Sequence, residues 1–137
     1  MQPVKKKKRT LGQRRALHAW NVVNEVLKLP EKEAKDYSRE ARKLPPRIMN
    51  AGLGQALAFI KAKSNEKEHV GKIHDNLTDW VIKQRKFPAK KQDSLLESII
   101  EGDSEFLKRA TEETLAYLAW LVRFLESEIG EIDVSEE

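Results

Sequence analysis

The chain has 137 residues, no cysteine, and 26 Lys+Arg against 22 Asp+Glu, a formal net charge of +4. That length suits one domain with a real hydrophobic core. The lack of cysteine excludes a disulfide framework and any thiolate metal site. The basic start is not followed by a long apolar stretch, so no secretory signal is expected, and the protein is expected in the cytoplasm with no membrane contact.

The net charge hides a split. Residues 1–64 hold 16 Lys+Arg and 5 Asp+Glu, whereas residues 65–137 hold 10 and 17. Such asymmetry suits a polyanionic partner for the first half, or simply a solvated basic surface. Residues 1–9 include Lys5-Lys6-Lys7-Lys8-Arg9 and read as a flexible basic arm. Arms of this kind bind phosphate backbones without reading sequence, or serve as solubilising tails. A helical domain is expected over residues 10–130, followed by an acidic flexible tail over 131–137.

The first helix should run from about Leu11 to Leu29, with Pro30 ending it. Ala16, Ala19, Trp20, Val23, Val26 and Leu27 make its apolar face; Arg14, His18, Asn21, Glu25 and Lys28 make the polar one, with His18 expected in solvent. A second helix is expected from Glu31 to Lys43. Its apolar stripe is narrow (Ala34, Tyr37, Ala41, then Leu44), which places it on the surface. Lys32, Lys35, Arg39 and Arg42 share an outer face that could follow a nucleic-acid backbone, interrupted by Asp36 and Glu40.

Leu44-Pro45-Pro46 should break that helix, because proline disfavours helical geometry in the residue before it. Pro46 can then open a third helix, from Arg47 to Lys63, kinked near Gly52-Leu53-Gly54. Gly54, Ala58 and Ala62 form a small-residue ridge that would let another helix approach closely, beside a large-residue ridge of Leu53, Leu57 and Ile60. Gly52-Leu53-Gly54 lacks the third glycine and the preceding strand of a phosphate-cradling loop. Gly52 and Gly54 are therefore read as packing residues.

After a polar linker at residues 64–69, a fourth helix is expected from Val70 to Lys86. Val70, Ile73, Leu77, Trp80 and Val81 should face inward, and Phe87-Pro88 should stop it. Lys83, Arg85 and Lys86 suit the negative end of its dipole. Ser94 and Glu97 stand at capping-box spacing before a short helix to Glu101, anchored by Leu95, Leu96, Ile99 and Ile100.

The final helix, from Asp103 to Ile129 and closed by Gly130, is the longest. In its run from Leu115 to Leu125 only Arg123 is charged. It is apolar nearly all round there, so it should be a central helix packed on several sides, with Trp120 as a packing residue. The alternative is that the Trp120/Phe124 side meets another subunit. The run is too short for a membrane span. The fold class expected is all-α: a single-domain compact bundle of five to six helices around this C-terminal helix.

Catalytic patterns are sparse. His69 and His74 are five apart rather than the four that aligns two ligands on one helix face. There is no Gly-x-Ser-x-Gly elbow. Glu112 and Glu113 are adjacent, so they point in different directions and one should face solvent. No catalytic residue, metal ligand or cofactor site is assigned. A hydrolytic enzyme using His74 and Asp75 is the reading from another class.

Two stretches resemble a known family. The first is Tyr37 through Leu44-Pro45, Ile48, Asn50 and Gly52-Leu53-Gly54-Gln55-Ala56-Leu57-Ala58-Phe59. The second is Arg109-Ala110-Thr111, Glu113, Leu115-Ala116-Tyr117, Trp120-Leu121, Arg123-Phe124 and Glu128. Together they resemble the small helical subunit, the fifth Cmr protein, of the type III-B CRISPR Cmr effector complex. The resemblance runs from the first helix to Glu128 and leaves out the Lys5–Arg9 arm and the acidic tail.

It implies a non-catalytic subunit that self-stacks beside the larger Cmr subunits, along guide RNA and its paired target RNA. Contact would be through the backbone, because the guide supplies sequence by pairing. The cations near the matching segments are then the candidates for RNA contact: Arg14, Arg15, Lys43, Arg47, Lys61, Lys63, Arg109 and Arg123. An independent, sequence-nonspecific DNA-binding helical protein is the alternative.

Overall fold

The computed structural model describes residues 8–130. Most of the expected basic arm and all of the acidic tail lie outside the described residues. Among the described residues, six α-helices make one domain: α1 (Leu11–Val26), α2 (Glu31–Ala51), α3 (Leu53–Lys63), α4 (Lys72–Thr78), α5 (Leu95–Glu101) and α6 (Ser104–Ile129). A 3₁₀ turn (Glu68–Gly71) leads into α4, and a π-helical turn (Asp79–Gln84) continues from it. No strand occurs among the described residues, as the sequence pattern requires.

Helix α1 starts at a capping box. Thr10 accepts from the Gln13 N–H at 3.0 Å, and the Gln13 side chain accepts from the Thr10 N–H at 2.9 Å, which satisfies two donors that a helix start leaves open. Ala19, Val22, Val23 and Val26 bury its inner face against α6.

Helix α2 departs most from the sequence expectation. It does not stop before Pro45 but runs on through Pro45 and Pro46 to Ala51. Proline inside a helix costs about 3 kcal/mol through its missing N–H and its clash with the preceding turn. Tertiary contacts offset that here. Tyr37, Ala41, Leu44 and Ile48 form one buried stripe on both sides of the prolines. Arg47 reaches back two turns, its Nη1 donating to Glu40 Oε1 at 3.1 Å. Arg42 Nη1 donates to the Gly130 carbonyl at 3.0 Å, tying α2 to the end of α6. Nor is α2 a surface helix: Asp36, Ser38 and Glu40 are buried with its apolar stripe.

The break falls at Gly52 instead. Its φ of 90° and ψ of 160° lie in a region that only glycine occupies at little cost. A side chain there would meet nothing within 4 Å, so this glycine is required by its backbone, not by close packing. Gly54 likewise makes no close approach: a Cβ on it would sit 3.7 Å from Ile99 Cγ2, an ordinary contact. Leu53, Leu57 and Ile60 are buried as expected, but Ala58 and Ala62 of the small-residue ridge face solvent rather than another helix.

Helix α5 is held by α4. The first three N–H groups of α5 all find acceptors: Leu95 on Thr78 Oγ1 (3.0 Å), Leu96 on His74 Nε2 (3.1 Å) and Glu97 on Ser94 Oγ (3.1 Å). Leu95 is buried, whereas Ile100, expected to anchor this helix, is 70% exposed.

Helix α6 is capped by Asp103, which accepts from the Phe106 N–H at 2.8 Å, and ends at Gly130 with φ 86°. It packs against α1 and α2 through Ala110, Tyr117, Leu118, Leu121 and Leu125. It is not enclosed all round. Ala119, Trp120 and Arg123 are exposed, and Trp120 is 40% open to solvent. Trp120 packs on Phe124 (5.8 Å between ring centroids), which in turn packs on Trp20 of α1 (5.1 Å). This aromatic row lies at the rim of the core rather than inside it.

The two glycines should separate cleanly in a thermal or urea melt. Gly52→Ala is expected to destabilise by about 1–3 kcal/mol, the cost of a side chain at that backbone conformation. Gly54→Ala is expected to be neutral or stabilising by up to about 1 kcal/mol, from helix propensity alone.

Candidate nucleic-acid interface

Three carboxylates among the described residues face inward, and each gathers cations from distant parts of the chain. Glu113 on α6 is the most connected. It accepts from Arg15 Nε (2.6 Å) and Nη2 (3.0 Å), Arg85 Nε (2.8 Å) and Trp80 Nε1 (3.0 Å). Four donors fill the acceptor sites of one carboxylate. Burial pushes its carboxyl upward, but the hydrogen bonds from Arg15, Arg85 and Trp80 outweigh that and hold it at about 2. The same contact raises the Arg15 guanidinium above its ordinary range.

Asp36 on α2 binds Arg39 (2.7 Å), His69 (3.2 Å) and Lys67 (3.4 Å). Its carboxyl is lowered: burial opposes ionisation, and the Arg39 hydrogen bond and the Lys67 charge favour it. Glu40, one turn on, faces Arg47 (3.1 Å) and Lys63 (3.9 Å).

These acids have a sequence signal that the charge pattern masks. Glu113 stands at helical spacing with Ala110, Thr114, Tyr117 and Leu121, all buried. Glu40 shares the face of Asp36 and Leu44. Asp36 and Glu40 are thus core acids rather than interruptions of a cationic track. Glu112, beside Glu113, is the one that faces solvent.

The eight candidate cations fall into groups. Arg14, Arg15 and Arg109 lie at the end where α1 begins, the π-helical turn ends and α6 passes. Arg14 donates from Nη2 to the Gln84 carbonyl at 3.3 Å and lies 5.8 Å from the Trp80 ring. Arg109 sits 4.9 Å from the Phe87 ring, and Arg85, expected from its position to be a helix-end charge, sits 5.4 Å from the same ring. Arg109 is exposed and pairs with neither Glu105 nor Glu113.

A second group lies along α2 and α3. Arg47 stacks on Phe59 at 3.8 Å besides its bond to Glu40. Lys63 and Lys43 are half-buried, and Lys61 is exposed. Arg123 stands apart, exposed on α6 next to Trp120. The fold therefore does not unite the eight in one patch.

The histidines hold the fold together. His18 is not solvated: Nδ1 lies 2.6 Å from the Tyr117 hydroxyl and Nε2 lies 2.7 Å from Asp79 Oδ2. Its ring is flanked by Trp80, itself stacked on Tyr117 at 5.5 Å. His74 accepts the Leu96 N–H, which needs a neutral ring. Burial, with the charge of Lys61 second, keeps its pKa below the ordinary value. A His74 whose Nε2 caps a helix is not set up beside Asp75 for hydrolysis.

A family model described as "CRISPR-associated protein (Cas_Cmr5)" matches residues 11–128. The chain belongs to the Cmr5 family. Among solved structures, it is similar to a CRISPR-associated Cmr5 family protein from Thermus thermophilus. The TM-score is 0.72 at 30% identity, and the match covers 88% of this chain and 97% of that one. Membership makes the chain a subunit of a CRISPR Cmr complex, as the motifs around Leu44-Pro45 and Trp120 imply. The Cmr5 match spans all eight candidate cations and leaves out the Lys5–Arg9 arm. No helix among the described residues is long and apolar enough to cross a membrane.

In this Cmr5-family chain the Glu113 hub should dominate acid stability. Glu113→Ala leaves Arg15 and Arg85 facing each other without a carboxylate. Both keep some solvent access, so the loss should lie near the low end of the 3–5 kcal/mol typical of a broken buried pair, about 3 kcal/mol by chemical denaturation. The folded carboxyl sits at about 2 against an ordinary 4.5. Its stabilisation is therefore complete above about pH 4.5 and is lost as the pH falls toward 2. Glu113→Gln should lack that component, so the stability gap between wild type and variant should narrow across this window.

Proposed function

We propose that this Cmr5-family chain is a non-catalytic small subunit of a type III-B effector complex, working in the cytoplasm. It self-stacks in a short helical filament along the guide RNA–target RNA duplex and supports assembly, while other Cmr subunits cut. The observation that carries this reading is electrostatic. Two of the five acids in residues 1–64, Asp36 and Glu40, are buried and outnumbered by the cations around them. That half therefore presents an excess of positive charge to solvent.

Arg14, Lys61, Arg109 and Arg123, whose side chains are exposed, are suited to direct phosphate contact. Arg15, Lys43, Arg47 and Lys63 are half-buried and would add to the field. Recognition by backbone charge and A-form shape fits that surface, since pairing with the guide supplies sequence. Exposed Trp20, Trp120 and Ile100 offer apolar surface for neighbouring copies or other Cmr subunits.

The test is a reconstituted complex carrying Lys61→Ala and Arg123→Ala. Binding to a guide–target duplex should weaken whatever its sequence, and the salt dependence should lose about one unit of slope for each phosphate contact removed. Cleavage per bound target should not change. Tight preference of the isolated chain for one DNA sequence, or nuclease activity of the chain alone, would overturn the reading.

A further inference from the structure

Beside the Glu113 hub lies an open cleft of about 200 Å³, lined by Arg15, Arg85, Phe87, Arg109, Glu112 and Glu113. We propose that this cleft is a phosphodiester-binding site that grips the RNA backbone through the guanidinium edges of Arg85 and Arg109. The inference rests on the reading of the chain as an RNA-contacting subunit, and it adds Arg85 and a defined place of contact.

A guanidinium carries five N–H donors. Arg85 uses only Nε on Glu113, which leaves its four Nη–H donors without an acceptor among the described residues. Arg109 makes no hydrogen bond or ion pair with the described residues and rests on the Phe87 ring. Arg15 spends one edge, Nε and Nη2, on Glu113. Glu113 already accepts four hydrogen bonds, so it cannot take up the remaining donors of Arg85. The two guanidiniums are thus oriented, by a carboxylate and by an aromatic ring, with donor edges left over. That arrangement matches the forked geometry in which arginine binds phosphate.

The surroundings favour a polymer of phosphates over a single acidic side chain of a partner protein. Cationic groups continue away from the cleft toward the start of α1 and the end of the π-helical turn. Arg14 lies over Trp80, whereas the neighbouring cleft that Arg109 shares with Lys90 also holds Glu101, Asp103 and Glu105 and does not extend the track. Arg85 is followed in the chain by exposed Lys86. A ligand with charge repeated along its length can engage such a track, whereas one carboxylate uses one position of it. Within the cleft itself the opposing group is Glu112, exposed on its wall. Its charge competes with a phosphate for Arg109, and it holds no structural contact among the described residues.

The experiment uses the full chain and a fluorescently labelled A-form RNA duplex, with anisotropy followed from about 50 to 200 mM salt, the range in which phosphate contacts are most salt-sensitive. Arg109→Gln should weaken binding about three- to tenfold and lower the salt slope by about one. Glu112→Gln, at an exposed position where misfolding is not expected, should tighten binding about two- to threefold, since one repelling charge is removed. Lys28→Gln, beyond the far end of α1, should change nothing at the cleft.

Wild-type binding that weakens with Lys61→Ala and Arg123→Ala but ignores Arg109→Gln and Glu112→Gln would overturn the cleft while leaving the RNA reading intact. No duplex binding by the wild type, alone or in the complex, would overturn that reading itself. If Arg109→Gln released another Cmr subunit without changing RNA affinity, the cleft would be a protein contact and the proposal would fall.

Discussion

The structure depends on one buried carboxylate. Glu113 is 4% exposed, yet it is kept ionised because Arg15, Trp80 and Arg85 satisfy it completely. Those donors come from α1, the π-helical turn and the residue that follows it. A buried charge missing any of these partners would oppose folding. With all of them it fixes how three segments meet. The π-helical turn has a purpose in this light. Its extra residue per turn brings Trp80 and Arg85, five apart, onto the same carboxylate. The stacked pair Trp80–Tyr117 and the His18 bridge from Tyr117 to Asp79 extend the same joint, so α1, α6 and the turn are locked by directional contacts as well as by apolar burial.

A parallel arrangement stabilises α2. Asp36 and Glu40 face inward and bind Arg39 and Arg47 of α2 itself, Lys63 at the end of α3, and Lys67 and His69 at the turn that follows α3. The bridge from Glu40 to Arg47 spans the two prolines. It helps explain why the helix passes through a pair of residues that ordinarily end one. Part of the positive charge that marks the first half, on Arg15, Arg39, Arg47 and Lys63, is therefore structural, tethered to core acids. The exposed remainder carries the case for RNA.

A subunit of this kind needs surface chemistry more than a pocket. As the RNA-contacting subunit proposed above, it would have only to match shape and neutralise phosphates, because base pairing would supply the sequence. An aromatic row at the α1–α6 rim and a guanidinium cleft at the opening end of α1 are separate features of one small domain.

The sequence by itself determined the all-helical class, the length of α6 and its stop at Gly130, the inward set Val70, Ile73, Leu77, Trp80 and Val81, and the family. These depend on local spacing or on motifs, which a linear reading captures. It misplaced the end of α2, put His18 in solvent and took Asp36 and Glu40 as surface charges. Each of those errors has one physical cause. Whether a proline is tolerated, or an acid or histidine is buried, depends on partners brought from far along the chain, and Arg15 and Glu113 are 98 residues apart. Only the tertiary structure decided which cations are held by acids and which remain open to a ligand, because that is set by where opposite charges meet in space and not by how many the chain contains.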